Sequence, residues 1–153
     1  MSPSRSGADV YTAEQIDAYL SHIAFPKAKY EHIAPAGAST EAGLGYLSSL
    51  QKHQLATVPF ENLSLHYSKE RTISLDREDL FDKFVTSKNG RGGYCMENNL
   101  FFGTVLKTLG FDVVHTGARI YDSTGSVGGW FVGNILFTHL IIAFLFKYSV
   151  AIY

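Results

Sequence analysis

The sequence predicts an α+β protein: a bundle of helices, one of which starts at a cysteine, followed by the opening of a β-sheet. Apolar residues recur at helical spacing from Ala13 to Ala24, from Leu44 to Leu55 and from Leu80 to Phe84, each run bounded by a polar cap or a proline. The single cysteine, Cys95, stands where a turn containing Gly90, Gly92 and Gly93 runs into a further periodic segment. Past Gly110 the pattern becomes extended, with Val113, Val114 and Ile120 in the stretch from Asp112 to Tyr121.

Residues 1–10 are rich in Ser, Pro and Gly and are expected to be disordered. Thr12 and Gln15 fit a capping box for a helix from Ala13 to Ala24, with Ile16, Tyr19, Leu20 and Ile23 on one face. Pro26 ends it, and residues 26–39, with Pro26, Pro35 and Gly37, form a connector. Thr40 caps a second helix whose buried stripe is Leu44, Leu47, Leu50 and Leu55; Gly43 and Gly45 weaken its first turns, and Pro59 ends it. The segment Pro59 to Ser64 is a turn in which Phe60 and Leu63 pack while Glu61 and Asn62 bond locally. The short run Ile73-Ser74-Leu75 is a bridge. Asp76 caps a third helix, Arg77 to Thr86, with Leu80, Phe81 and Phe84 facing the core. The cysteine helix follows, with Met96, Leu100, Val105 and Leu109 near a 3.6-residue period and Gly110 as its stop. There are no internal repeats.

A length of 153 residues allows one domain or one and a half. A net charge of −1 gives no electrostatic basis for binding nucleic acid or an anionic membrane surface. One cysteine excludes an internal disulfide framework and a Cys-rich zinc site, and no metal is expected. Met1 to Gly7 holds no apolar run of the signal-peptide kind, so the expected location is the reducing cytoplasm.

A lone cysteine is most often a small buried hydrophobe. Here its setting adds chemistry. The first turn of a helix favours a thiolate, Arg91 upstream adds positive charge, and the thiolate is the nucleophilic form. Glu97, two residues on, suits the helix dipole as a cap or as a brace for the turn; Arg91 can pair with it or with Glu61.

The stretch Arg91-Gly92-Gly93-Tyr94-Cys95-Met96-Glu97-Asn98 resembles the Arg-Gly-Gly-x-Cys-x-Glu-x-Asn signature of the arylamine N-acetyltransferases, the signature's Asn falling at Asn99. Upstream, Val58-Pro59-Phe60-Glu61-Asn62-Leu63 is similar to the family's second signature, and the likeness runs from about Tyr11 to about Tyr121. It implies a cysteine-protease-like fold with a helical first domain at 11–110, the start of a β-barrel domain at 111–130, and a lid domain. Family members are about twice this long, so the chain resembles a truncated member. The implied chemistry is ping-pong transfer of an acetyl or other short acyl group. Cys95 takes it from acetyl-CoA or another acyl-CoA and passes it to an arylamine or hydrazine, a reaction of xenobiotic metabolism. Arg91, Gly92, Gly93, Glu97, Asn98, Asn99, Phe60, Glu61 and Asn62 are expected to support the site.

The cysteine needs a histidine, and the histidine an orienting acid. His22, His32, His53 and His66 lie in the helical part, and His115 sits on the first strand, where surface or core roles fit better. Thr138-His139-Leu140-Ile141-Ile142 resembles the family's histidine strand and makes His139 the candidate base. No Asp or Glu follows Asp122, so the acid is missing. From Trp130 to Phe146 the chain is uncharged, and Lys147 is the only Lys, Arg, Asp or Glu after Asp122. The run fits a membrane-spanning helix, a pair of buried barrel strands, or a non-native or degenerate end over 131–153. The joint loss of charge and of family likeness favours the last, and a membrane partner is expected only if residues 131–146 are an anchor. Two rival functions stand beside the acyltransferase: an inactive relative kept as an interaction module, and a cysteine hydrolase.

Overall fold

In the computed structural model, which describes residues 10–30, 40–121, 127–138, 140–143 and 150–151 and side chains as far as residue 115, α1 spans Ala13–His22. Its predicted capping box is present. Thr12 Oγ1 accepts from the Gln15 N–H at 3.2 Å, and Gln15 Oε1 accepts from the Thr12 N–H at 2.9 Å. The helix stops short of Ala24, because Ala24 takes φ 51°, a left-handed conformation that an α-helix does not continue through. A 3-10 turn, Lys27–Tyr30, follows Pro26.

Helix α2, Glu41–Thr57, begins with Thr40 Oγ1 accepting from the Gly43 N–H at 3.0 Å. Its buried stripe is Gly43, Tyr46, Leu47, Leu50 and Gln54, whereas the predicted Leu55 is 44% exposed. Residue 54 continues the 47, 50 spacing, and residue 55 lies about 100° further round the helix. The polar Gln54 is tolerated inside because its amide oxygen accepts from the Tyr19 hydroxyl at 2.9 Å.

The segment after Pro59, predicted as a turn with packed Phe60 and Leu63, holds a five-residue helix, α3 (Leu63–Tyr67). Phe60 and Leu63 are exposed rather than packed into the core. The third predicted helix is split. Asp76 caps α4, Arg77–Phe81, accepting from the Glu78 and Asp79 N–H groups, but Asp82–Thr86 winds as a π turn. Helix α5, Cys95–Thr108, has its most enclosed positions at Glu97, Asn98 and Phe101 to Leu106. The expected stripe is therefore only partly right: Val105 is core, while Leu100 and Leu109 pack at its edge. Other elements cover α5 on more than one side, so a single apolar stripe does not describe it.

Phe101 is the hub of the core, fully buried, with the rings of Tyr11, Tyr19, Phe81 and Phe84 between 5.0 and 6.4 Å away. Tyr11 ties the chain start to two later helices: its N–H donates to Thr108 Oγ1 at 2.9 Å and its hydroxyl to the Arg77 carbonyl at 3.1 Å.

Among the described residues beyond α5 lie four antiparallel strands, β1 (Val113–Tyr121), β2 (Val127–Thr138), β3 (Leu140–Ala143) and β4 (Val150–Ala151), in the order β3-β2-β1-β4. Val113 pairs with Leu136 and Arg119 with Trp130, so β2 continues along β1 through residues 130 and 131 without a break in register. Helix α5 packs against β1 and β2. The described parts of the apolar tail are thus extended and paired, and among the described residues no helix is long and apolar enough to cross a membrane.

Candidate active site

Two loops meet at the start of α5. Phe60 and Gly93 form a parallel bridge, in which the Gly93 N–H donates to the Pro59 carbonyl at 3.2 Å and the Glu61 N–H donates to the Gly93 carbonyl at 3.0 Å. That contact requires glycine. A Cβ on Gly92 would lie 1.7 Å from the Pro59 oxygen, and one on Gly93 would lie 2.6 Å from Phe84 Cζ. The two segments singled out by resemblance are therefore one structural unit.

The asparagines tie the unit to the helix. Asn98, buried, donates from Nδ2 to the Gly93 carbonyl at 2.6 Å, so that oxygen accepts twice. Asn99 donates from Nδ2 to the Cys95 carbonyl at 2.8 Å. Tyr94 lays its ring 5.6 Å from that of Phe60. No hydrogen bond of the Asn62 side chain caps α3.

The charges are arranged in pairs. Arg91 binds Glu61 Oε1 through Nε and a terminal nitrogen, both at 2.9 Å, and reaches Ser64 Oγ at 3.2 Å. Glu97, 2% exposed, accepts from Lys83 Nζ at 2.8 Å on one oxygen and from the Tyr94 N–H at 2.9 Å on the other. Lys83 Nζ also stands 3.7 Å from Glu61. Burial alone would raise the Glu61 carboxyl, but the Leu63 N–H, Arg91 and Lys83 outweigh it and hold the group below the usual carboxylate range. Of the two pairings open to Arg91, the structure shows the one with Glu61.

Cys95 is half-buried at the first position of α5. Burial pushes its thiol up; the Met96 and Cys95 N–H groups and the Tyr94 side chain pull it down, Glu97 pushes it up again, and the net direction is upward. This departs from the expectation that the helix start and Arg91 favour a thiolate. Desolvation exceeds the helix-end effect, and Arg91 is engaged by Glu61. A thiolate at neutral pH thus calls for a further cationic partner, the role that an imidazolium fills in a Cys-His pair. His139 lies outside the described residues. Among the described residues no group of three or more His, Cys, Asp and Glu is placed to hold a metal ion.

Lys83 was not legible as a site residue, since it falls on the polar side of the third predicted helix. Charge accounting is the signal that could have found it. The two motif carboxylates, Glu61 and Glu97, share one motif cation, Arg91, so enclosing both requires a second cation from elsewhere.

The sequence profile described as N-acetyltransferase matches residues 43–129. An N-malonyltransferase of Fusarium pseudograminearum is 40% identical over 114 residues, covering 72% of this chain and 33% of the relative. A pineal gland arylamine N-acetyltransferase of Gallus gallus is 41% identical over 95 residues, covering 62% of this chain and 31% of the relative. Among solved structures, the arylamine N-acetyltransferase of Nocardia farcinica superposes with a TM-score of 0.65 at 30% identity, covering 88% of this chain and 43% of that one. The chain spans about a third of the length of these curated relatives.

Proposed function

Because the chain belongs to the N-acetyltransferase family that includes the arylamine N-acetyltransferases, we propose that it carries the nucleophile of an acyl-CoA-dependent amine acyltransferase, with Cys95 in that role. The observation that carries the reading is the junction at the start of α5. The two signature segments meet at Gly92 and Gly93, just before the only cysteine, and the Glu97 carboxylate bonds the N–H of the intervening Tyr94. The helical unit supplies the nucleophile, and the strands after Gly110 are the opening of a barrel that bears the base.

In the first half-reaction Cys95 Sγ attacks the thioester carbonyl of acyl-CoA and its proton passes to a base, for which His139 is the candidate. The carbon–sulfur bond to coenzyme A breaks, and coenzyme A leaves as its thiol on taking up that proton. In the second, an arylamine or hydrazine nitrogen attacks the acyl-cysteine, loses a proton, and releases Cys95 as the thiol. That histidine in turn needs an acid to hold its tautomer and orientation. Loss of the orienting aspartate costs roughly 10⁴-fold in a serine protease triad. The second reading, an inactive relative serving as an interaction module, predicts no acyl group on Cys95.

The donor is acetyl-CoA or another short acyl-CoA, and the N-malonyltransferase among the relatives makes malonyl-CoA the second donor to try. The protein is to be incubated with each donor, digested, and mapped by mass spectrometry. An acyl group on the peptide containing Cys95 is the expected result with at least one of them. No adduct from either donor, or an adduct on another residue, overturns the assignment in favour of the interaction module.

A further inference from the structure

We propose that Lys83 is a positioning residue for Cys95: brought by the π turn Asp82–Thr86, its ammonium neutralises the buried Glu97 carboxylate that holds the first turn of the nucleophile helix. The proposal rests on Cys95 as the nucleophile.

Glu97 lies two residues after Cys95 and is 2% exposed, so its charge is shielded by protein rather than by water. A carboxylate removed from solvent needs a partner at contact distance, and Lys83 Nζ is 2.8 Å from Oε1. The remaining oxygen accepts from the Tyr94 N–H at 2.9 Å, on the residue before the cysteine. The chain of contacts is thus ammonium, carboxylate, backbone amide, nucleophile.

The π turn explains how Lys83 arrives. Phe84 reaches Gly93 and stacks edge-on with Phe101, while Lys83 faces the carboxylates and lies 5.7 Å from the Phe84 ring. A π turn holds more residues than an α turn, so it re-aims the side chains that follow, and such turns recur at functional sites. Among the described residues, the charged and titratable groups around Glu97 are Lys83 from the π turn, Glu61 from the segment before α3, Arg91 from the glycine loop, and Tyr94 and Cys95 beside it. Arg91 is held by Glu61 and Ser64. Lys83 is therefore the cation that bonds Glu97. Without it, a negative charge near the thiol opposes the thiolate.

The test follows alkylation of Cys95 by iodoacetamide against pH, read by intact mass on the full chain, for Lys83→Met, Lys83→Arg, Glu97→Gln and the Lys83→Met/Glu97→Gln pair. Lys83→Met is expected to move the midpoint up by about one pH unit, the scale of an uncompensated neighbouring charge. Lys83→Arg keeps the midpoint near the parent value, and in the Glu97→Gln background Lys83→Met adds no upward shift. An unchanged midpoint in Lys83→Met, or an equal upward shift with and without Glu97, overturns the proposal. A purely structural loss lowers the melting temperature without this dependence on Glu97. Alkylation needs no acyl donor, so failure of the acyltransferase reading shows separately, in the acyl-CoA mapping.

Discussion

Gly92→Ala is expected to destabilise the protein by at least about 3 kcal/mol, beyond the ordinary range for one added methyl group in a packed site. The new Cβ would sit 1.7 Å from the Pro59 oxygen and 2.6 Å from its carbonyl carbon. Those are backbone atoms, so no rotamer change relieves the clash and the two segments must separate. Separation breaks the Gly93 N–H to Pro59 and Glu61 N–H to Gly93 hydrogen bonds. Gly45→Ala is the matching control: nothing lies within 4 Å of its Cβ position, and α2 gains about 0.5–1 kcal/mol from losing a helix glycine. Urea unfolding of the variants decides it. Equal effects of the two substitutions would remove the case that the bridge requires glycine.

The second large effect belongs to Phe101→Ala, expected to cost about 3–5 kcal/mol in the same measurement. Phe101 has no exposed surface and meets the rings of Tyr11, Tyr19, Phe81 and Phe84. The cavity would open beneath Phe84, whose Cζ is what a Cβ on Gly93 would strike, so alkylation of Cys95 should change along with stability. Tyr67→Ala, at a ring 84% exposed, is expected to stay within about 0.5 kcal/mol. A loss below about 1 kcal/mol for Phe101→Ala would show that the site collapses around the missing ring.

Local signals were the legible ones. Thr12, Thr40 and Asp76 each announced a helix start, because a capping side chain and the amides it satisfies lie within three residues of each other. Leu47, Leu50, Leu80 and Phe84 were readable as core from spacing alone. Contacts across the chain were not. Gln54 replaced Leu55 in the core because a tyrosine from another helix satisfies its amide. The π turn at Asp82–Thr86 left no periodic trace, since its neighbours continue a helical pattern. In the site, the glycines and Glu97 could be read as bracing the cysteine turn, but the direction of the Cys95 thiol could not. It depends on how far folding removes the thiol from water, a quantity fixed by the whole core.

The bridge between Phe60 and Gly93 also has a kinetic meaning. Arg91 and Glu61, which flank it, are 30 residues apart in sequence. Closing a loop of that size costs roughly 3 kcal/mol of chain entropy by the logarithmic rule, before any constant term. No short segment can meet that cost by itself, so the nucleophile loop is expected to take shape only after the core that carries both strands of the bridge has condensed. In stopped-flow refolding, the characteristic reactivity of Cys95 should appear after the far-ultraviolet helical signal, and simultaneous recovery would show that the loop forms with the helices. The cysteine then passes through an early stage of folding as an unguarded thiol, with ordinary solution chemistry, and acquires its protected surroundings in the last steps.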